Sequence, residues 1–168
     1  MSPAMRHANA ERDQVWLRVA HLEDADAIAR LVNQAFQVER FFIAGDRTNP
    51  EAVRELLGKG KFLLAELDGV LAGCVYLQAR GDRCYLGLLS VDPGRQRSGL
   101  GRLLMRAAEE DCRAAGARGI DLQIVSLRTE LPGYYRCLGY DESGTAPFPE
   151  HAQPKQPCYF IKMSKELA

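Results

Sequence analysis

From Arg83 to Val125 the chain reads strand, turn, helix, strand, and this succession narrows its fold more than any other feature. "RCYLGLLSV" (83–91) is a β-like run, and "GIDLQIV" (119–125) has the apolar character of a buried strand. Between them Leu100, Leu103/Leu104, Ala107/Ala108, Cys112 and Ala115 mark an amphipathic helix ending at Gly116. A crossover helix between two strands of one sheet predicts that those strands lie parallel, with the helix packed on one face. The residues before them have another rhythm. "KFLLAEL" (61–67), "VLAGCVYLQ" (70–78) and the 83–91 run are separated by Asp68-Gly69 and by "RGD" (80–82), both hairpin signals. An antiparallel meander that passes into a βαβ unit predicts an α/β (α+β) fold with a mixed sheet.

The flanking segments complete the order. "VWLRVA" (15–20) reads as a strand, and Asp24–Phe36 as a helix with apolar residues at helical spacing. "NPEAVRELLG" (49–58) has a helix start in Asn49-Pro50 and a stop in Gly58. "QVERFFIAGDRT" (37–48) reads as a helix end plus loop. Residues 130–138 predict a short helix closed by Gly139, "CYFIKM" (158–163) a last strand, and the Pro-rich "GTAPFPEHAQPKQP" (144–157) a loop between them. The 168 residues fit a single domain over 14–168, with 1–13 expected to be a mobile tail.

Composition removes several function classes. Lys+Arg and Asp+Glu number 22 each, so no overall field draws the chain to nucleic acid or a membrane surface. No apolar run reaches the ~20 residues of a membrane helix. "MSPAMRHANAERDQ" lacks the apolar centre of a secretory signal. Five scattered cysteines without CxxC spacing point away from a disulfide framework or zinc site and toward a reducing cytoplasm, with no metal expected.

The chemistry concentrates in "SVDPGRQRSGLGRLLM" (90–105), at the junction of the 83–91 strand and the following helix. First-turn N–H groups have no intrahelical partner, and the helix dipole adds partial positive charge, so this junction is suited to an anion. Gly99 and Gly101 permit close approach to the backbone, and Arg95, Arg97 and Arg102 add charge suited to a phosphate. The P-loop pattern GxxxxGK[ST] is absent, and GxGxxG would need glycine where Leu104 stands.

"VDPGRQRSGLGRLLM" resembles the signature of the GNAT acyltransferases, Q/R-x-x-G-x-G/A at a strand-to-helix junction, with Gln96, Gly99 and Gly101 in place. "YYRCLGY" (134–140) is similar to that family's Y-x-x-x-G-F, with Tyr135, Gly139, and Tyr140 for Phe. The likeness extends over about residues 14 to 165, and it implies a mostly antiparallel sheet splayed at one parallel strand pair and flanked by helices. It also implies an acetyl-CoA-dependent N-acetyltransferase, active by direct attack of a primary amine of a small molecule, peptide or protein, with no metal. Cofactor contacts are implied at Leu89, Ser90 and Val91 for the pantetheine arm, and at Gln96, Arg97, Ser98, Gly99, Leu100, Gly101 and Arg102 for the pyrophosphate.

Tyr135 falls where family members carry a phenol near the acyl-CoA sulfur, and Tyr134 is its rival. The glutamate base of the histone-acetyltransferase branch would stand at Tyr85, so that carboxylate is missing. Glu39, Asp46 and Glu130 are the candidate acids. "VERFFIAGDRT" (38–48) corresponds to the family's connection between its first two helices, so the resemblance implies that it walls the acceptor pocket. Its mix of Phe41 and Phe42 with Glu39, Arg40, Asp46 and Arg47 suits an amphipathic one. Arg128 stands where a pantetheine-binding Asn is frequent, and is expected to set a cation near an acidic group. His7, His21 and His151 are far from both motifs in sequence, and His151 is expected to face solvent. Family members are often homodimers. The alternative to catalysis is a non-catalytic acyl-CoA-binding sensor or partner domain, and transfer of acyl groups longer than acetyl also stays open.

Overall fold

In the computed structural model, residues 6–10 and 13–167 are described, with side chains from Val15 onward. Among the described residues the chain forms strands β1 (Arg6–Ala10), β2 (Asp13–Val19), β3 (Lys61–Leu67), β4 (Val70–Arg80), β5 (Arg83–Val91), β6 (Gly119–Val125), β7 (Asp141–Pro147) and β8 (Tyr159–Glu166). The helices are α1 (Ala25–Ala35), α2 (Pro50–Lys59), α3 (Leu100–Ala114) and α4 (Leu131–Cys137). All strands join one sheet, in the order β1-β2-β3-β4-β5-β6-β8-β7. Every neighbouring pair is antiparallel except β5 and β6, the parallel pair expected from the crossover rule.

The apolar runs of β3 and β4 are continuous because both sheet faces are covered. Leu63, Ala65 and Leu67 of β3 and Val75 and Leu77 of β4 pack on the α3 side, with Leu104, Met105, Ala108 and Cys112. Their alternates Phe62, Leu64, Cys74 and Tyr76 pack on the other side, against Ile28, Leu31 and Val32 of α1 and Val53 of α2. Asn49 accepts a hydrogen bond from the Ala52 N–H at 2.9 Å and Pro50 occupies the first turn, so α2 starts where the sequence places it.

The structure departs from the sequence reading in several places. Residues 6–10, assigned to a tail, form the edge strand β1 against β2; residues 1–5, 11 and 12 lie outside the described residues. The start of the Pro-rich loop belongs to β7, whose "DESGTAP" has no apolar alternation. An edge strand exposed on both faces is specified by its backbone pairing to β8, which leaves no periodic signal. The last strand also continues past residue 163, to Glu166.

The parallel pair is short, and this shapes the molecule. Only Arg83, Cys84 and Tyr85 register with Gly119, Ile120 and Asp121. Beyond them β5 stays with β4 while β6 stays with β8 along its whole length, so the sheet opens as a wedge. The closed end is clamped by Arg83, whose Nε and Nη2 donate to Asp121 at 2.8 and 2.9 Å and whose Nη1 donates to Glu166 at 3.0 Å. The Arg83 contact holds the Asp121 carboxyl below the usual range.

A bulge bends β5 within the open part. Cys74 pairs with Ser90 and Tyr76 with Gly87, so Leu88 and Leu89 together face Val75. Leu88 has φ +50°, a left-handed conformation that costs a branched residue about 1–2 kcal/mol. Its carbonyl accepts from the Ser90 hydroxyl at 2.9 Å and from the Cys74 thiol at 3.8 Å, which hold the kink.

Candidate functional site

Two cavities occupy the two sides of the wedge. The first, about 480 Å³, lies at the start of α3 and is lined by Leu89 and Val91, by the loop and first turn from Arg95 to Arg102, and by Arg128, Leu131 and Tyr134. The second, about 710 Å³, lies between the open parts of β5 (Tyr85–Leu89) and β6 (Leu122–Val125). Phe36, Glu39, Arg47, Arg80, Tyr135 and His151 are among its other walls. Phe36, Leu89, Arg128, Leu131 and Tyr134 line both cavities and mark where they meet.

Local chemistry explains the loop. Arg97 has φ +68° and Gly99 φ +86°, two left-handed turns in close succession ahead of α3. The N-terminus of α3 carries no side-chain cap, so its first-turn N–H groups remain available to a ligand in the smaller cavity. At Gly99 the backbone angle calls for glycine, since an added Cβ would meet nothing within 4 Å. At Gly101 space decides: a Cβ would lie 2.8 Å from the Tyr134 hydroxyl. The two glycines of the motif thus answer two different constraints.

Of the residues expected to contact a cofactor, Leu89, Val91, Gln96, Arg97, Ser98, Gly99, Leu100, Gly101 and Arg102 all line the smaller cavity. Ser90 does not. It is 2% exposed and its hydroxyl is spent on the bulge, so only its main chain is left for other contacts.

Where the cavities meet, Arg128 donates to Glu39 at 2.8 Å and to Glu130 at 2.6 Å. Glu39 is 5% exposed. Burial lifts its carboxyl above the usual glutamate value, against the opposing pull of Arg128. Tyr135 is buried and lines the larger cavity. Tyr134 packs edge-on against it, with ring centroids 5.1 Å apart, and carries its hydroxyl to Gly101. Burial raises the pKa of both phenols, so both are protonated, hydrogen-bond-donating groups at neutral pH.

Tyr85 lines the larger cavity with the Arg80 guanidinium 4.1 Å above its ring. Asp46 also lines it, engaged by Arg40 at 3.2 Å, whereas Glu130 lies outside both linings. His151 is exposed, as expected, and its loop brings it to the cavity wall.

Phe42 requires a correction. Placed by sequence in the acceptor pocket, it is fully buried and lines neither cavity. Its ring packs edge-on to Phe41 at 4.6 Å, and its carbonyl accepts from the Lys155 N–H at 2.6 Å. Phe42 therefore fastens the α1–α2 connection to the β7–β8 connection. The Leu88 bulge and the wall residues Phe148 and Phe160 are not apparent in sequence, because a leucine at positive φ and a loop and strand brought in from far along the chain leave no local sign of the cavity.

Tyr140 departs from the Phe of the family pattern, and the structure gives the reason. Its hydroxyl donates to the buried Glu109 of α3 at 3.3 Å, and Lys165 of β8 donates to the same carboxylate at 3.0 Å. Lys165 also donates to the Leu138 carbonyl at 2.8 Å, so this polar group ties α3, β8 and the end of α4 together.

Known proteins share this architecture. Ard1 of Thermoplasma volcanium superposes with a TM-score of 0.77 at 15% identity, over 92% of this chain and 98% of that one. The ribosomal-protein-S18-alanine N-acetyltransferase of Escherichia coli gives 0.73 at 18% identity, over 92% and 94%. Salmonella typhimurium yncA, solved with its cofactor acetyl-CoA, gives 0.69 at 21% identity, over 92% and 94%. At these identities the likeness is one of fold. No curated protein sequence matches the chain significantly. The model of the acetyltransferase (GNAT) family matches residues 25–140, a stretch that holds the glycine loop, the wedge and both tyrosines. By that match and by its fold, the chain belongs to the GNAT acetyltransferases.

Proposed function

We propose that the protein transfers the acetyl group of acetyl-CoA to a primary amine of a small molecule or peptide, by direct attack within the wedge. The observation that carries this reading is the meeting of the two cavities at Leu89, Arg128 and Tyr134. The smaller cavity ends on an uncapped helix N-terminus with Arg95, Arg97 and Arg102 around it, and the larger holds a buried carboxylate and a phenol.

The residues present fit acetyl-CoA. The first-turn amides of α3, which no side chain caps, suit the pyrophosphate. The edge of β5 at Leu89 and Val91, left without a neighbour where β6 diverges, suits the pantetheine amides. Bound acetyl-CoA supplies an activated thioester. Glu39, with its carboxyl raised by burial, is placed in the acceptor cavity to take the proton from the incoming ammonium group, directly or through water. Tyr135 keeps its proton at neutral pH and is the group to protonate the departing thiolate. Arg128 acts as a positioning residue, holding Glu39 at the junction.

Five free cysteines support a reducing cytoplasm as the place of action. No described helix is long and apolar enough to cross a membrane. The test is titration calorimetry with acetyl-CoA, together with release of free thiol over a panel of amines. Micromolar binding with amine-dependent thiol release is the expected result. Tight binding without turnover of any amine would favour the sensor reading, to which the absence of a carboxylate at Tyr85 lends support.

A further inference from the structure

The larger cavity holds more positive charge than its own carboxylates neutralise. Of its acids, Glu39 is engaged by Arg128 at 2.8 Å and Asp46 by Arg40 at 3.2 Å. That leaves Glu55 as the remaining carboxylate for three cations of the wall, Arg47, Lys59 and Arg80, of which Arg47 also acts on Glu39 at longer range. Among the described residues none of these three has a carboxylate within 4.0 Å. They come from different elements: the loop after α1, the end of α2 and the end of β4.

Two of the three are held in similar fashion. The Arg80 guanidinium lies 4.1 Å over the Tyr85 ring, and that of Arg47 5.5 Å over the Phe36 ring, and both rings line the cavity. A guanidinium stacked on a ring presents N–H groups along its edge that fit a carboxylate. Arg80 spends one of them, Nη2, on the side-chain oxygen of Gln78 at 3.2 Å, a neutral partner on the same wall that a carboxylate would outcompete. Stacking also lowers the entropy cost of engaging a ligand.

We infer that the acceptor carries, besides its amine, a carboxylate or comparable anionic group that Arg47, Lys59 and Arg80 receive. This rests on the acetyltransferase reading and names the acceptor class for that same site: an amino acid or an amino-acid-like small acid. Phe36 lies at the junction of the cavities, so of these three cations Arg47 is the one stacked beside that junction, where Arg128 is already engaged by Glu39. Tyr85 is four residues back along β5 from Leu89, a span of at most about 13 Å that the Leu88 bulge shortens. Arg47 thus suits an anion close to the amine, and Arg80 with Lys59 one at the far end of the acceptor.

The test compares sets of acceptors: α-amino acids, their amides, their decarboxylated amines, and amino acids with a second, distal carboxylate. Thiol release is measured with acetyl-CoA, and binding of the corresponding N-acetyl products is measured by calorimetry on the CoA-bound protein. The carboxylated member of each set should be favoured at least about tenfold in kcat/KM and in product affinity, equivalent to about 1.4 kcal/mol. Arg47→Gln should reduce the preference for an α-carboxylate, and Arg80→Gln that for a distal one, each by about threefold or more. Equal use and equal binding of acids, amides and amines would overturn the inference, as would variants that keep the wild-type preference. Turnover of amines without that preference sinks only this inference, whereas absence of acetyl-CoA binding sinks the acetyltransferase reading beneath it. If no acceptor turns over but acetyl-CoA binds, the product-affinity ratio still decides.

Discussion

Gly101→Ala tests the contact that binds the two sequence motifs together. The new Cβ would stand 2.8 Å from the Tyr134 hydroxyl, so ordinary contact requires the phenol or the first turn of α3 to yield by about 0.6 Å. Overpacking of this kind costs about 1–3 kcal/mol. Helix propensity opposes it, since alanine is favoured over glycine by about 0.5–1 kcal/mol within a helix. A net loss of about 1–2 kcal/mol follows, or a fall in Tm of about 2–8 °C for a chain of this size. In a Tyr134→Phe background the hydroxyl is gone, and the next atoms, Tyr134 Cζ and Val91 Cγ2, lie at 3.9 Å. There the same substitution should be neutral or slightly stabilising. Urea denaturation of the four proteins in the double-mutant cycle measures the coupling, expected at about 1–2 kcal/mol. Acetyl-CoA titration on the same proteins reports whether the displaced turn still binds. Equal cost of Gly101→Ala in both backgrounds would refute the steric argument.

Further outcomes follow from the same geometry. Gly99→Glu places a side chain at φ +86° and a negative charge beside the free amides, and should abolish acetyl-CoA binding by calorimetry; unchanged affinity would remove that loop from the cofactor site. Tyr135→Phe should lower kcat about a hundredfold or more with little change in acetyl-CoA affinity, while Tyr134→Phe does less; the reverse order would transfer the acid role to Tyr134. Because burial raises the Glu39 pKa, the rate should climb with pH along a limb centred above the usual glutamate value, and Glu39→Gln should erase that limb. The same shift makes the folded state bind more protons than the unfolded one, so the contribution of Glu39 to stability is present below its unfolded pKa and is lost as pH rises through the folded one. Tyr140→Phe, which leaves Glu109 bonded to Lys165, should cost only about 1 kcal/mol in urea denaturation.

Patterns of local origin were legible in the sequence. Alternation and hairpin turns placed β3, β4 and β5, the 3.6-residue period placed α3, and Asn49-Pro50 placed the start of α2. The parallel pairing of β5 and β6 followed from the crossover helix between them alone. The glycine loop was readable because a backbone anion seat is built from neighbouring residues, and the N-terminus of α3 that it leads into is uncapped. None of this needed to know what lies across the molecule.

The remainder depended on residues far apart in sequence. The wedge opens where β6 parts from β5 while staying paired to β8, and the Leu88 bulge forms where Val75 faces two residues of β5. The pairing of Arg128 with Glu39 joins positions 89 residues apart. Phe42 was misread because a phenylalanine beside charges looks the same in sequence whether it walls a cavity or fastens two loops beneath one. The charge of the acceptor cavity is likewise a tertiary quantity. A chain with 22 acidic and 22 basic residues is neutral overall, and only folding decides which carboxylates are spent on partners and which cations are left facing the site. Sequence determined the fold family and the glycine loop proposed to seat the donor, because short-range backbone chemistry encodes both. Tertiary structure alone decided the larger cavity, proposed for the acceptor, where a loop, a helix end and a strand end bring Arg47, Lys59 and Arg80 together with Glu55, which has no ion-pair partner among the described residues.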